Sequence, residues 1–354
     1  MKRFFTLFLA IFLSACTAQT APDIIAQSAL RNDDGVPIIL GHTYSVPSKI
    51  FGTDRRLSVK LPAGYADSKD KHYPVVYIID GGPEQDFPHI AGMIASIDIS
   101  GSLEPVIVVG IETVNRRAEI TPPADDVRYD EALKDRGGAN DFRRYIRGEV
   151  FPWVAAHYRV SEDRAVMGES LAGLFVVDTF LNDPTLFSKY AAISPSLWWD
   201  NLAITRPAAQ ILKGHPAGER EIYLTMANEG LLMQDGLDLL IEALESGAPE
   251  GLKWSYIDRR NQESHATIYQ PAALDVLRTF FPRPYIEGAS PASFYLFPNG
   301  EYPELTESAK KSLEGDCTHE NARPTSFAAV NANWAQWNGH CVLIKPGPPR
   351  TKGN

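Results

Sequence analysis

In the segment Arg164-Ala165-Val166-Met167-Gly168-Glu169-Ser170-Leu171-Ala172-Gly173-Leu174-Phe175, one serine lies where an apolar strand-like run gives way to an apolar helix-like one. Gly168 and Ala172 flank Ser170 as in a G-x-S-x-G turn, with alanine in place of the second glycine. Such a turn lifts a serine hydroxyl out of the backbone on a strained bend, where bulky neighbours would clash with strand and helix. The chemistry implied is nucleophilic attack on a carbonyl carbon. A serine hydroxyl is weak at neutral pH, so it needs a base, an acid that orients the base, and donors for the developing oxyanion.

The best base is His265, in Asn261-Gln262-Glu263-Ser264-His265, just after the strand-like Trp254-Ser255-Tyr256-Ile257. Loops at the carboxyl ends of strands are where α/β folds carry their chemistry. The orienting acid is expected between Ser170 and His265. Glu229 follows the strand-like stretch Glu221 to Met226, while Asp235, Asp238 and a serine-histidine dyad stay open. The residue after the nucleophile, Leu171, offers one backbone N–H to the oxyanion. A second is expected from Ile79-Asp80-Gly81-Gly82-Pro83, where glycines let the backbone approach a ligand closely.

These groups need a scaffold that brings strand ends together. Short apolar runs recur at Val75-Val76-Tyr77-Ile78-Ile79, Val106 to Ile111, Ala165-Val166-Met167, Tyr190 to Ile193 and Ile222 to Met226. Runs of this kind suit strands buried on both faces of a parallel sheet. Helical patterns lie between them at Asp141 to Tyr158, after Ser170 to about Leu181, at Leu231 to Ser246 and at Tyr269 to Phe281. The expected fold is therefore α/β, a doubly wound and mainly parallel sheet. It is preceded by an antiparallel hairpin, His42 to Ser48 with Arg56 to Leu61. From about Tyr285 the texture becomes rich in Pro, Ser, Asn and Gly, with strands expected at Ser293 to Phe297 and Cys341 to Ile344 and a short helix at Leu305 to Leu313.

The chain has 354 residues, 44% of them hydrophobic, and a formal net charge of -10. That charge argues against nucleic acid as a partner. No P-loop, G-x-G-x-x-G, H-E-x-x-H or C-x-x-C occurs, so neither a cofactor nor a metal is expected. Ser308-Ala309-Lys310-Lys311 matches S-x-x-K without companion motifs and is read as chance. The start, Met1-Lys2-Arg3 followed by apolar residues to Leu13-Ser14-Ala15-Cys16, reads as a signal peptide over residues 1–15. Its end resembles the lipobox of bacterial lipoproteins, with Cys16 lipidated. Residues 16–37 then form a tether, 38–284 the catalytic domain, and 285–354 an extension. The expected place is the cell envelope, with the membrane touched through the lipid only. With Cys16 consumed, Cys317 and Cys341 remain as an even pair in an oxidising compartment and are expected to form a disulfide.

The matching pieces resemble the esterase D and enterobactin-esterase-like branch of the α/β-hydrolases. They are Tyr73 to Gly81, Asn115-Arg116 with Thr121-Pro122, Gly137-Gly138-Ala139, Gly168 to Gly173, Ile193-Ser194-Pro195-Ser196-Leu197-Trp198-Trp199-Asp200 and Glu263-Ser264-His265. The resemblance implies Ser170 as nucleophile, His265 as base, and the backbone N–H groups of Gly82 and Leu171 as oxyanion donors. It also marks Arg116 as a substrate contact, against the plainer reading of a surface pair with Glu119. Trp198 and Trp199 could wall an apolar pocket, although core packing accounts for at least one of them. The expected function is hydrolysis of a small-molecule carboxylic ester through an acyl-enzyme. Acyl transfer and siderophore-ester hydrolysis would use the same residues, and a non-catalytic envelope binding protein is the alternative of a different class.

Overall fold

The computed structural model of the chain describes residues 36–100, 103–283, 333–337 and 340–345. Residues 36–39 fall in a unit separate from the one that begins at Leu40. The expected signal, Cys16, Cys317, the Ser293 to Phe297 strand and the Leu305 to Leu313 helix lie outside the described residues.

An eight-stranded sheet organises the body. Its strands are β1 (His42–Pro47), β2 (Asp54–Lys60), β3 (Tyr73–Ile79), β4 (Ile107–Ile111), β5 (Val160–Glu169), β6 (Lys189–Ile193), β7 (Arg220–Met226) and β8 (Leu252–Asp258), in the order β1-β2-β4-β3-β5-β6-β7-β8. The hairpin β1–β2 and the β2–β4 pair are antiparallel, and every later pairing is parallel. The loops that carry Gly82, Ser170, Glu229 and His265 therefore share one edge, the carboxyl ends of β3 to β8. A two-stranded antiparallel sheet, β9 (Asn333–Trp337) with β10 (His340–Lys345), contains the strand expected around Cys341.

The helices are α1 (Phe87–Ser100), α2 (Arg116–Ile120), α3 (Tyr129–Ala132), α4 (Ala139–Tyr145), α5 (Phe151–His157), α6 (Leu171–Asn182), α7 (Ala208–Leu212), α8 (Leu231–Gly247) and α9 (Tyr269–Phe280). Strand side chains alternate between two cores, as a pleated strand requires. Val75, Tyr77, Val166, Ala192 and Leu224 pack with α4, α6 and α8. Val76, Ile78, Ala165, Met167 and Ile193 pack with α1 and α9 on the other face.

Two helical details depart from the sequence pattern. The expected helix Asp141 to Tyr158 is interrupted by a π-helical turn, Ile146–Val150. Pro152 follows in the first turn of α5; it has no N–H to donate and its ring crowds the carbonyl four residues back, which a widened turn relieves. Helix α1 does not stand out in the sequence, because Pro88, Gly92 and the isoleucines lower its intrinsic helicity. Pro88 sits in the first turn, where proline is tolerated, and Phe87, Ile90, Ala91, Ile94 and Ile97 bury one continuous stripe.

Candidate active site

Ser170 sits between β5 and α6 with φ 62° and ψ -119°, a left-handed conformation that costs a non-glycine residue about 1–3 kcal/mol. Three backbone bonds hold it there. Ser170 N donates to Ile193 O at 3.0 Å, and Ser170 O accepts from Leu174 N at 2.9 Å and from Ser196 N at 3.0 Å. The small flanking residues are required by contact. A Cβ on Gly168 would come within 2.7 Å of Ala172 Cβ and 2.8 Å of its carbonyl carbon. A Cβ on Gly173 would meet Ile193 O at 2.9 Å. Ala172 fits in place of glycine because Gly168 leaves room for its methyl.

The hydroxyl of Ser170 lies 3.4 Å from that of the buried Ser196, a long contact. No hydrogen bond joins Ser170 to His265 among the described residues. In resting sites such bonds are commonly long and tighten with substrate. His265, in the loop between β8 and α9, places Nδ1 2.5 Å from Oε1 of Glu229, which follows β7. The two loops are laced together by Asn228 N donating to Glu263 O at 3.0 Å. Gly230 and Leu231 both take positive φ, turning the chain into α8 directly after the acid. Of the competing acids, Asp238 accepts from Gln234 Nε2 at 2.6 Å, and Asp235 is exposed on α8.

Leu171 is the first residue of α6, and the N–H groups of a helix's first turn have no partner within the helix. Gly82 is placed differently from a free donor. Its N–H donates to Gln85 Oε1 at 2.9 Å, and Gln85 Nε2 is anchored on Thr113 O at 2.9 Å. Gly81 is pressed against β4, where a Cβ would meet Gly110 Cα at 2.3 Å.

Arg116 opens α2 and reaches back to the site. Its Nε donates to Asp80 Oδ2 at 2.5 Å and its Nη2 to Glu169 O at 3.3 Å. Its pairing with Glu119 does not occur. Glu119 instead receives Arg55 through two nitrogens, at 2.9 and 2.6 Å, and the N–H groups of Val114 and Asn115. Thr113 Oγ1 also donates to Asp80. Burial pushes the Asp80 carboxyl up, while Arg116 and Thr113 pull it back down.

Trp199 is core: it is buried and its Nε1 donates to Pro122 O at 3.1 Å. Trp198 is only half-buried, and the ring of Tyr129 stands edge-on to both indoles, with centroids 6.2 and 5.2 Å away. Sequence reasoning passed over Gln85, Thr113, Ser196 and Glu169. None of the four carries a local signal; Glu169 ends a strand that also holds Glu162, Asp163 and Arg164.

A serine on a strand-to-helix bend at a helix start and a histidine-carboxylate pair on later loops of a mainly parallel sheet fit an α/β-hydrolase. The Esterase family model matches residues 48–275, and the chain belongs to that family of carboxylic ester hydrolases. Ferri-bacillibactin esterase BesA of Bacillus subtilis (strain 168) is 30% identical over 221 residues, 55% of this chain and 74% of that protein. The siderophore enterobactin esterase of Emericella nidulans is 28% identical over 204 residues, 48% of this chain and 66% of that one. Among solved structures, an IroE-like serine hydrolase from Shewanella oneidensis superposes with a TM-score of 0.61 at 24% identity, covering 68% of this chain and 79% of that one. At that identity the superposition speaks for the fold. No group of His, Cys, Asp and Glu suited to a metal ion occurs among the described residues.

Proposed function

We propose that the protein is a serine esterase that works through an acyl-enzyme. The observation that carries this reading is the 2.5 Å contact of His265 Nδ1 with Glu229 Oε1 on the edge of the sheet where Ser170 is raised on its strained turn. Ser170 Oγ attacks the ester carbonyl as His265 Nε2 takes its proton, and Glu229 stabilises the imidazolium and fixes its tautomer. The oxyanion is met by Leu171 N–H and, once the Gln85 side chain yields its acceptor, by Gly82 N–H. His265 then returns the proton to the leaving alcohol, and water repeats the sequence to release the acid.

The relatives support a first choice of substrate. Two of them are named esterases of siderophores, so esters of that kind are the first to test. Arg116, with 40% of its side chain exposed, is placed to contact an acidic or aromatic group of such a substrate, with Trp198 as an apolar wall. Export, lipidation at Cys16 and a Cys317–Cys341 disulfide complete the reading, on the sequence pattern alone.

The test is fluorophosphonate labelling of the full chain, together with turnover of aryl acetates, sugar acetates and catecholate-siderophore triesters. Labelling lost in Ser170→Ala, with turnover of at least one ester class, is the expected result. Labelling that survives Ser170→Ala would sink the mechanism.

A further inference from the structure

The two oxyanion donors rest in different states. Leu171 begins α6, so its N–H has no partner within the helix. Gly82 is buried, and a buried N–H is costly to leave unpaired, so an empty site needs an acceptor for it. The chain supplies one three residues on. Gly82 to Gln85 forms a turn in which Gln85 N donates to Gly82 O at 3.1 Å, with Pro83 in second place, where its fixed φ favours the bend. The turn brings the Gln85 side chain back to its own start, and Oε1 accepts from Gly82 N at 2.9 Å. The amide has one orientation only. Thr113 O can only accept and takes Nε2 at 2.9 Å, while Gly82 N can only donate and takes Oε1. Thr113 N adds a long contact to Oε1 at 3.4 Å. Thr113 Oγ1 accepts from Nε2 at 3.2 Å while donating its own proton to Asp80, which Arg116 holds in turn. Gln85 is thus held at both ends of its amide, half-buried, with its oxygen on the donor that the reaction needs.

We propose that Gln85 is a positioning residue that plugs the oxyanion hole of the resting enzyme and yields Gly82 N–H only to a carbonyl oxygen that has gained negative charge. The proposal rests on the esterase reading and deepens it. A neutral ester oxygen is a weaker acceptor than an amide oxygen, because an amide nitrogen feeds electron density into its carbonyl. The bound ester therefore leaves Gln85 in place. When Ser170 Oγ bonds to the carbonyl carbon, the π pair moves onto oxygen, and the oxyanion accepts hydrogen bonds roughly twice as strong as neutral ones. Oε1 is then outcompeted, and Gly82 N–H joins Leu171 N–H on the oxyanion. The bond from Gly82 is made in the transition state and not in the ground state, which is the kind of interaction that raises kcat. The plug slows the step as well, since one neutral hydrogen bond must open in each turnover, worth about 3- to 10-fold.

The test uses the full chain with Gln85→Met, which keeps the length of the side chain and removes its amide. Three quantities are compared with wild type: kcat/KM on a short-chain aryl ester, the Ki of an aryl trifluoromethyl ketone, and the Ki of the matching carboxamide. Attack by Ser170 turns the ketone into a tetrahedral oxyanion, whereas the carboxamide stays planar and neutral. The expected result is that kcat/KM rises and the ketone's Ki falls, each by about 3- to 10-fold, while the carboxamide's Ki moves by less than about twofold. A side chain that only braced its loop would weaken all three on removal. Unchanged or lower kcat/KM in folded Gln85→Met, with no gain in ketone affinity, would overturn the plug and leave the esterase reading intact. NMR of the wild-type chain decides the matter even if the variant does not fold. The Gly82 amide resonance should shift when the ketone adds to Ser170, and a Gly82 amide that stays put while that of Leu171 moves would overturn the proposal. Absence of both ester turnover and a ketone adduct in the wild type would instead overturn the esterase reading, and the plug with it.

Discussion

Glu229→Gln keeps the shape of the proposed triad acid and removes its charge, and the geometry sets how much this costs. With charge centres about 4 Å apart, the attraction between Glu229 and a protonated His265 is about 4 kcal/mol at an effective dielectric of about 20 and about 2 kcal/mol at about 40. The pair is unevenly covered, since Glu229 retains 11% of its side-chain exposure and His265 44%. Water at the imidazole pulls the effective dielectric towards the higher figure. The imidazolium of the acylation transition state thus loses about 2–4 kcal/mol, or about 30- to 1000-fold in kcat/KM. This is smaller than the roughly 10⁴-fold seen when the acid of a deeply buried triad is neutralised, because an exposed ring can be resolvated and reoriented. The assay is kcat/KM on a short-chain aryl ester, backed by second-order labelling rates with a fluorophosphonate. A Glu229→Gln enzyme within threefold of wild type would refute the reasoning. If Asp235→Asn or Asp238→Asn then gave the large loss, the acid would sit on α8 instead.

Three other perturbations follow from the packing and charge of the same structure. Gly168→Ala drives a methyl against Ala172, so strand and helix must part; a loss of about 1–3 kcal/mol in urea unfolding and a fall in labelling at Ser170 are expected, and an unchanged midpoint with full labelling would contradict the packing. Asp178→Asn strips the partner from Arg143, a pair whose side chains are 3% and 9% exposed, and is expected to cost about 3–5 kcal/mol by the same measurement. Glu169→Gln should change stability in a pH-dependent way: a carboxyl near 4.5 when unfolded and about 7 when folded binds more protons folded, so wild-type stability falls as pH rises through that window. Relative to wild type the variant should therefore gain about 1–3 kcal/mol between pH 5 and pH 8, and parallel urea midpoints at the two pH values would exclude this.

What could be read from the sequence divides along a physical line. Strands buried on both faces declare themselves as uninterrupted apolar runs, so β3 to β7 and the order of the loops that carry the candidate site are legible in the sequence. The bend at Ser170 was legible for a related reason, since only small residues survive the contacts that Gly168 and Ala172 make. Groups assembled from several loops were not. Trp198 and Trp199 are neighbours of one type, and only the carbonyl of Pro122, 77 residues away, decides which indole is core. Gly82 reads as an unobstructed donor until Gln85, braced by Thr113 from beyond β4, is seen to occupy it. Glu169 is the sharpest case. Nothing local distinguishes it from a solvated turn residue, and its environment comes from Asp86, Arg116, Glu229 and His265, which span almost 180 residues of chain. A parallel sheet brings such groups to one edge by stacking distant loops, so the sequence can name a candidate nucleophile long before it can say which charges surround it. The same topology puts Ser170, Glu229 and His265 on three different loops, so variants in any one of them should be compared across pH rather than at a single value.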